Sequence, residues 1–204
     1  MAKRTDAILS IGMLVLVLLA LAVMVATGST GEFVAWAWAR HHNVLSWYIR
    51  PLFFLPFCYF AYKRSLSGMI LTLLALATSM FWFPAPERSD PMMLEFLAVE
   101  REYLSEDWTM AKVLMASLVP ISFAALGFVF WKRSIVYGLV LLNAVVVAKL
   151  VWSFYFGNAS GGLTLLPSAL AGLAVCDAVI LYVVHRIRKG SSPKPPQQVS
   201  QQGG

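Results

Sequence analysis

Long apolar runs separated by very short charged punctuation leave this chain few ways to fold. The stretches 7–26, 110–131, 135–155 and 163–184 each carry at most one formal charge. A helix crossing about 30 Å of hydrocarbon needs roughly 20 such residues at 1.5 Å rise. Backbone groups in hydrocarbon must be satisfied within the chain, so only helices and closed barrels can span. The ~10-residue alternating segments of a barrel are not seen. Composition agrees: 59% of residues are hydrophobic and 13% charged, with a mean hydropathy of +0.72, well beyond a soluble domain. The expected fold is all-α, a polytopic transmembrane bundle over 1–189 with six spans at about 7–26, 47–62, 66–83, 110–131, 135–155 and 163–184. The stretch 190–204, rich in Pro, Gln and Ser, is expected to be a disordered cytoplasmic tail.

Two further segments are amphipathic rather than spanning. In 29–46, Phe33, Val34, Trp36 and Trp38 are too apolar for a free loop, while Glu32, Arg40, His41 and His42 are too polar to cross. In 87–109, Met93, Phe96, Leu97 and Leu104 fall near helical spacing and Glu95, Glu102 and Glu106 face away. Both are expected to lie along the outer interface. Pro51 and Pro56 interrupt the second span, with a kink expected at Pro56. Residues 157–162 read as a turn from their glycines. Their Asn158-Ala159-Ser160 matches a glycosylation acceptor pattern, but sits too close to the bilayer to favour that use. The first run is longer than a signal-peptide core, so an uncleaved helix is expected.

Charge sets the expected orientation. Ten cations, Lys3, Arg4, Lys63, Arg64, Lys132, Arg133, Arg186, Arg188, Lys189 and Lys194, share one side with Asp6 alone; the other side holds five cations against eight acids. Both termini are therefore expected to be cytoplasmic. The turns Lys63-Arg64-Ser65 and Lys132-Arg133-Ser134 are 69 positions apart, and the same shift lays Pro51 on Pro120, Tyr62 on Trp131 and Leu66 on Ile135. A parallel hairpin repeat would produce this. So would convergence, since turns at a cytoplasmic surface collect cations and aromatic anchors.

Ionisable residues inside the spans are the first functional candidates, because a charge at a helix centre costs roughly 2.5 to 3.5 kcal/mol on insertion scales. Asp177 lies ~12 Å from the end of its helix at His185 and Asn143 ~13 Å from the second turn, so the two are level. Lys149, at ~22 Å, is nearer the outer surface and able to snorkel there. His41, His42 and Arg50, with Glu100 and Glu102, form a second set on the outer face. Adjacent histidines point apart and lack metal-ligand spacing, so neither a metal nor a cofactor is expected. Cys58 and Cys176 read as small core hydrophobes. No phosphate-binding glycine loop, nucleophile elbow or His-Glu-x-x-His motif is present.

These features favour a small solute or ion transporter in which Asp177, Asn143 and Lys149 line a polar route. The alternatives are a non-catalytic accessory or assembly subunit, and a membrane enzyme using His41, His42, Glu100 and Glu102 on a lipid-borne substrate. The expected partners are the lipid bilayer, whose anionic headgroups suit the cationic side, and a membrane-protein partner or second copy, with no nucleic acid. A plasma membrane, the bacterial inner membrane in particular, is the expected location.

Overall fold

The computed structural model describes residues 2–156 and 158–190; the expected tail beyond Gly190 lies outside them. Every regular element among the described residues is helical: α1 (Ala2–Ala26), α2 (Thr30–His41), α3 (Val44–Ile49), α4 (Phe54–Lys63), α5 (Leu66–Thr78), α6 (Pro91–Ser105), α7 (Met110–Trp131), α8 (Ile135–Phe156) and α9 (Asn158–Gly190). Short 3-10 turns, Arg50–Phe53 and Ser79–Phe81, join α3 to α4 and follow α5.

Among the described residues, five helical stretches are long and apolar enough to cross a membrane: Lys3–Ala26, Val44–Lys63, Met110–Trp131, Ile135–Tyr155 and Gly162–Arg186. The apolar helix Leu66–Phe81 is shorter. Its 13 α-helical residues and three 3-10 residues rise only about 26 Å, less than the hydrocarbon thickness. Most of the large apolar side chains on these helices point outward, as lipid contact requires.

The irregularity in the second span falls at Pro51 rather than at the expected Pro56. Pro51 lies in the 3-10 turn, whereas Pro56 sits in the first turn of α4, where a missing N–H leaves little unsatisfied. The Pro51 carbonyl accepts from Phe54 N–H and, at 3.4 Å, from the Cys176 thiol of α9. Residues 158–162 are helical, so the expected turn over 157–162 gives way to the start of α9; Gly157 is not described. Leu104, expected on the buried face of α6, is exposed, while Met93, Phe96 and Leu97 are buried as their spacing predicts.

Side chains that cannot continue a helix instead begin one. Asn43, Ser65, Asp90 and Thr109 each accept a backbone N–H of the helix that follows, satisfying donors that a helix start otherwise leaves open. Asp6 of α1 reinforces the start of α5, accepting from Leu66 N–H at 2.8 Å, from Ser67 N–H at 3.1 Å and from the hydroxyls of Ser65 and Ser67. A carboxylate is favoured there by the helix dipole, and it pins α1 to α5.

The two Lys-Arg-Ser turns close identically. Arg64 and Arg133 take left-handed φ values of 58° and 60°. Arg64 N–H donates to the Ala61 carbonyl and Ser65 N–H to the Phe60 carbonyl; Arg133 N–H donates to Phe130 and Ser134 N–H to Val129. This is the Schellman closure in both places. The turns also brace each other reciprocally. Arg64 Nε donates to the Trp131 carbonyl at 3.2 Å, and the Arg133 guanidinium lies 5.2 Å from the centre of the Tyr62 ring. Tyr62 and Trp131 are the pair that the 69-residue shift superposes. Further along α4 and α7, Phe54 stacks on its shifted counterpart Phe123, with centroids 5.5 Å apart and planes 12° from parallel. The contacts are those of a local twofold axis between α4 and α7. The likeness stops at the prolines, since Pro120 lies inside the continuous α7. Phe57, Cys58, Leu126, Phe130, Leu142 and Cys176 fill the core around this axis.

Candidate functional site

The polar candidates separate into two places. One is the contact between α8 and α9. There Asn143 Nδ2 donates to both carboxylate oxygens of Asp177, at 3.2 and 3.1 Å, and to the Leu139 carbonyl of its own helix at 2.9 Å. Both side chains are half-buried. The levels counted along the two helices do bring these residues together. Lys149 does not join them; it is exposed on α8, and its charge bears on Glu100. That places it with the second group, as a lysine snorkelling toward the far end of its helix would be.

The second place is at the end of the bundle opposite the Lys-Arg turns. The last residue of α2, His41, is buried there. Its ring stacks on Trp47 at 5.4 Å and 21° and meets the edge of Trp38 at 5.6 Å. Trp47 Nε1 donates to the His41 carbonyl at 2.9 Å and packs edge-on to Phe96 of α6. Met93 and Leu97 complete this small core, with Leu165 of α9 against it. Around that apolar seat runs a polar chain. Arg50 Nη2 donates to His41 Nδ1 at 3.0 Å, and His41 Nε2 lies 3.6 Å from Glu100 Oε2.

The direction of that chain is set by the guanidinium, which has no acceptor. Nδ1 must therefore present its lone pair to Arg50, and the ring proton sits on Nε2, facing Glu100. Burial pushes the Glu100 carboxyl up, but the contact with His41, followed by the charges of Lys149 and Arg50, pulls it the other way and holds the group below the usual glutamate range. Glu100 is thus an anion at any pH above that range. Its side chain remains 37% exposed, so solvent screens part of this attraction.

His42 and Glu102 stand apart from the cluster. His42 turns its Nδ1 to the Ala39 carbonyl at 3.2 Å, as adjacent positions on one helix diverge. Glu102 is exposed on α6. Glu100 and Glu102, two residues apart, lie on different faces for the same reason. Among the described residues, no group of three or more His, Cys, Asp or Glu side chains is placed to hold a metal.

One buried ionisable group is not among the sequence candidates. Lys112, near the start of α7, is buried. Its Nζ donates to the Glu106 carbonyl at 3.1 Å and lies over the rings of Tyr103 at 4.5 Å and Trp108 at 5.3 Å. A cation at the C-terminus of α6 meets the negative end of the helix dipole and two aromatic faces. The signal that could reveal it is the set of aromatics four and nine positions before the lysine.

Chemically, the His41 cluster is well built to hold three elements together and poorly placed to move protons for a substrate. A general base needs a free ring nitrogen within reach of the proton it takes. Here Nδ1 is occupied by Arg50, and Nε2 carries a proton directed at Glu100.

These helices and their outward apolar surfaces define a polytopic α-helical membrane protein. No protein-family model, curated protein or solved structure matches the chain.

Proposed function

We propose that the protein is a non-catalytic accessory or assembly subunit of a membrane complex, with α6 as its docking element. The observation that carries this reading is the rigid seating of α6. The Trp47, Met93, Phe96 and Leu97 core holds one face of the helix, and Glu100 pairs with His41 at 3.6 Å while the charges of Lys149 and Arg50 bear on it. Glu95, Glu102 and Glu106 are left exposed on the other side. A fixed helix with an acidic outer face suits a partner carrying a basic surface, since complementary charge steers and aligns association. On this reading the His41 chain is a structural clamp rather than the machinery of a lipid-modifying enzyme.

The experiment places a photo-crosslinking residue at Glu102 in the full chain in its native membrane. A cross-linked species of discrete mass that disappears on combined Glu95→Lys and Glu106→Lys substitution is the expected result. Cross-linking that survives this charge reversal, or no adduct at any exposed position of α6, refutes the reading.

Transport is kept as a second reading by one observation, the Asp177 and Asn143 pair. A carboxylate inside a span, bonded among the described residues to a neutral amide, is the kind of group that proton-coupled carriers use. Against a continuous polar route, Lys149 belongs to the other end, and the axis between α4 and α7 is packed with aromatic and aliphatic side chains. Proteoliposomes loaded with a pH-sensitive dye decide it: proton flux abolished by Asp177→Asn supports a carrier, and its absence in the unmodified protein removes that reading.

A further inference from the structure

We propose that the groove between α5 and α7 binds one anionic phospholipid, with an acyl chain along its floor and the phosphate at Lys132. Two adjoining cavities of about 360 and 390 Å³ share Leu66 and Met69 and together follow α7 from Val119 to Trp131. That stretch rises roughly 18 Å, close to the ~15 Å depth of one hydrocarbon leaflet. The walls are almost wholly apolar, which suits a hydrocarbon chain and would not stabilise a polar solute.

The floor and the two ends of the groove have distinct origins. At Gly127 an added Cβ would lie 2.7 Å from Met69 Cε, so glycine is what lets Met69 lie across the floor. Pro120 lines the deep end. At the shallow end Trp131 and Lys132 form the mouth, an aromatic and a cation at headgroup level. Of the four turn cations, Arg64 is engaged with Trp131 and Arg133 with Tyr62, while Lys63 lies over Tyr59. Lys132 is exposed, and among the described residues its ammonium lies over Phe128, a residue of the groove itself, at 5.5 Å. The charge therefore sits where the phosphate of a lipid seated in the groove would come. A second transmembrane helix would fit the apolar walls but would gain nothing from the exposed cation at one end.

The test is native mass spectrometry of the full chain equilibrated with equal amounts of phosphatidylglycerol and phosphatidylcholine of the same acyl composition. Phosphatidylglycerol is expected to be retained preferentially, by about five-fold for a single cation near the surface. Lys132→Gln should abolish that preference and Lys132→Arg should keep it. Ala124→Phe, an exposed groove position, should lower retention of both lipids. Equal retention of the two lipids by the unmodified chain overturns the proposal, as does an undiminished preference in Lys132→Gln. A second copy of the chain, retained in place of lipid and lost in Ala124→Phe, overturns it too.

Discussion

Gly172 of α9 lies hard against Pro51 of the 3-10 turn. A Cβ built on it would fall 2.1 Å from Cβ of Pro51 and 3.5 Å from its Cα. The proline ring cannot swing aside as a flexible side chain can. Gly172→Ala is therefore expected to destabilise the protein by about 1–3 kcal/mol, the usual range for overpacking. Gly12→Ala, where an added Cβ meets nothing within 4 Å, is expected to be neutral or to gain up to about 1 kcal/mol of helix propensity. Thermal unfolding of the two variants in the same detergent checks the contrast. Neither role could be read from the residues, because both glycines sit in apolar helices and their roles depend on what the fold brings opposite them. Asp177 and Asn143 were legible, since position along two antiparallel helices is enough to predict that they are level. Lys149 with Glu100 was not, since it depends on where a separate helix is laid down.

At the scale of elements, the paired turns show how local chemistry and tertiary contact divide the work. A left-handed conformation costs a non-glycine residue roughly 1–2 kcal/mol, yet both turns place arginine there. The offset is visible in the cross-braces from Arg64 to Trp131 and from Arg133 to Tyr62. Alanine at either position keeps the strain and loses the contact, whereas glycine loses the contact but relieves the strain. Arg64→Ala and Arg133→Ala should each cost about 1–2 kcal/mol, with the glycine variants nearer to unmodified stability. Chemical denaturation of the four variants would show the ordering, and alanine variants as stable as the glycine ones would contradict it. The Lys-Arg-Ser motifs mark the turns in the sequence because charge and an N-capping serine are local signals. The reciprocal bracing is not local, and neither is the shift of the helix irregularity from Pro56 to Pro51, where the 3-10 turn packs against α9.

For the whole molecule, the structure fixes relative placement and charge predicts orientation. Arg64 and Arg133 touch each other's turns, and Asp6 lies against the start of α5, so the beginning of the chain and both turns share one end. Glu100, Lys149 and His41 share the other. Cysteines introduced at the exposed positions Lys63 and Lys132 are expected to react with a membrane-impermeant reagent from the cytoplasmic side, and one at Ser105 from the opposite side. Reaction of all three from one side would mean that α6 and the turns do not flank a membrane.

What the amino-acid order alone determined is the class and the rough layout: an all-helical membrane protein, the positions of most helices, the two cationic turns, and the buried face of α6. These depend on hydropathy, periodicity and short-range turn chemistry, all contained within a few residues. Tertiary structure alone decided that Arg50, His41 and Glu100 form one cluster, with the charge of Lys149 bearing on it, while His42 and Glu102 stand apart, that Lys112 is buried under two aromatic rings, and that α5 and α7 leave a groove beside Lys132. The reason is that helices in hydrocarbon are selected by length and apolarity, whereas the partners of a side chain depend on the rotation and offset of each helix against its neighbours.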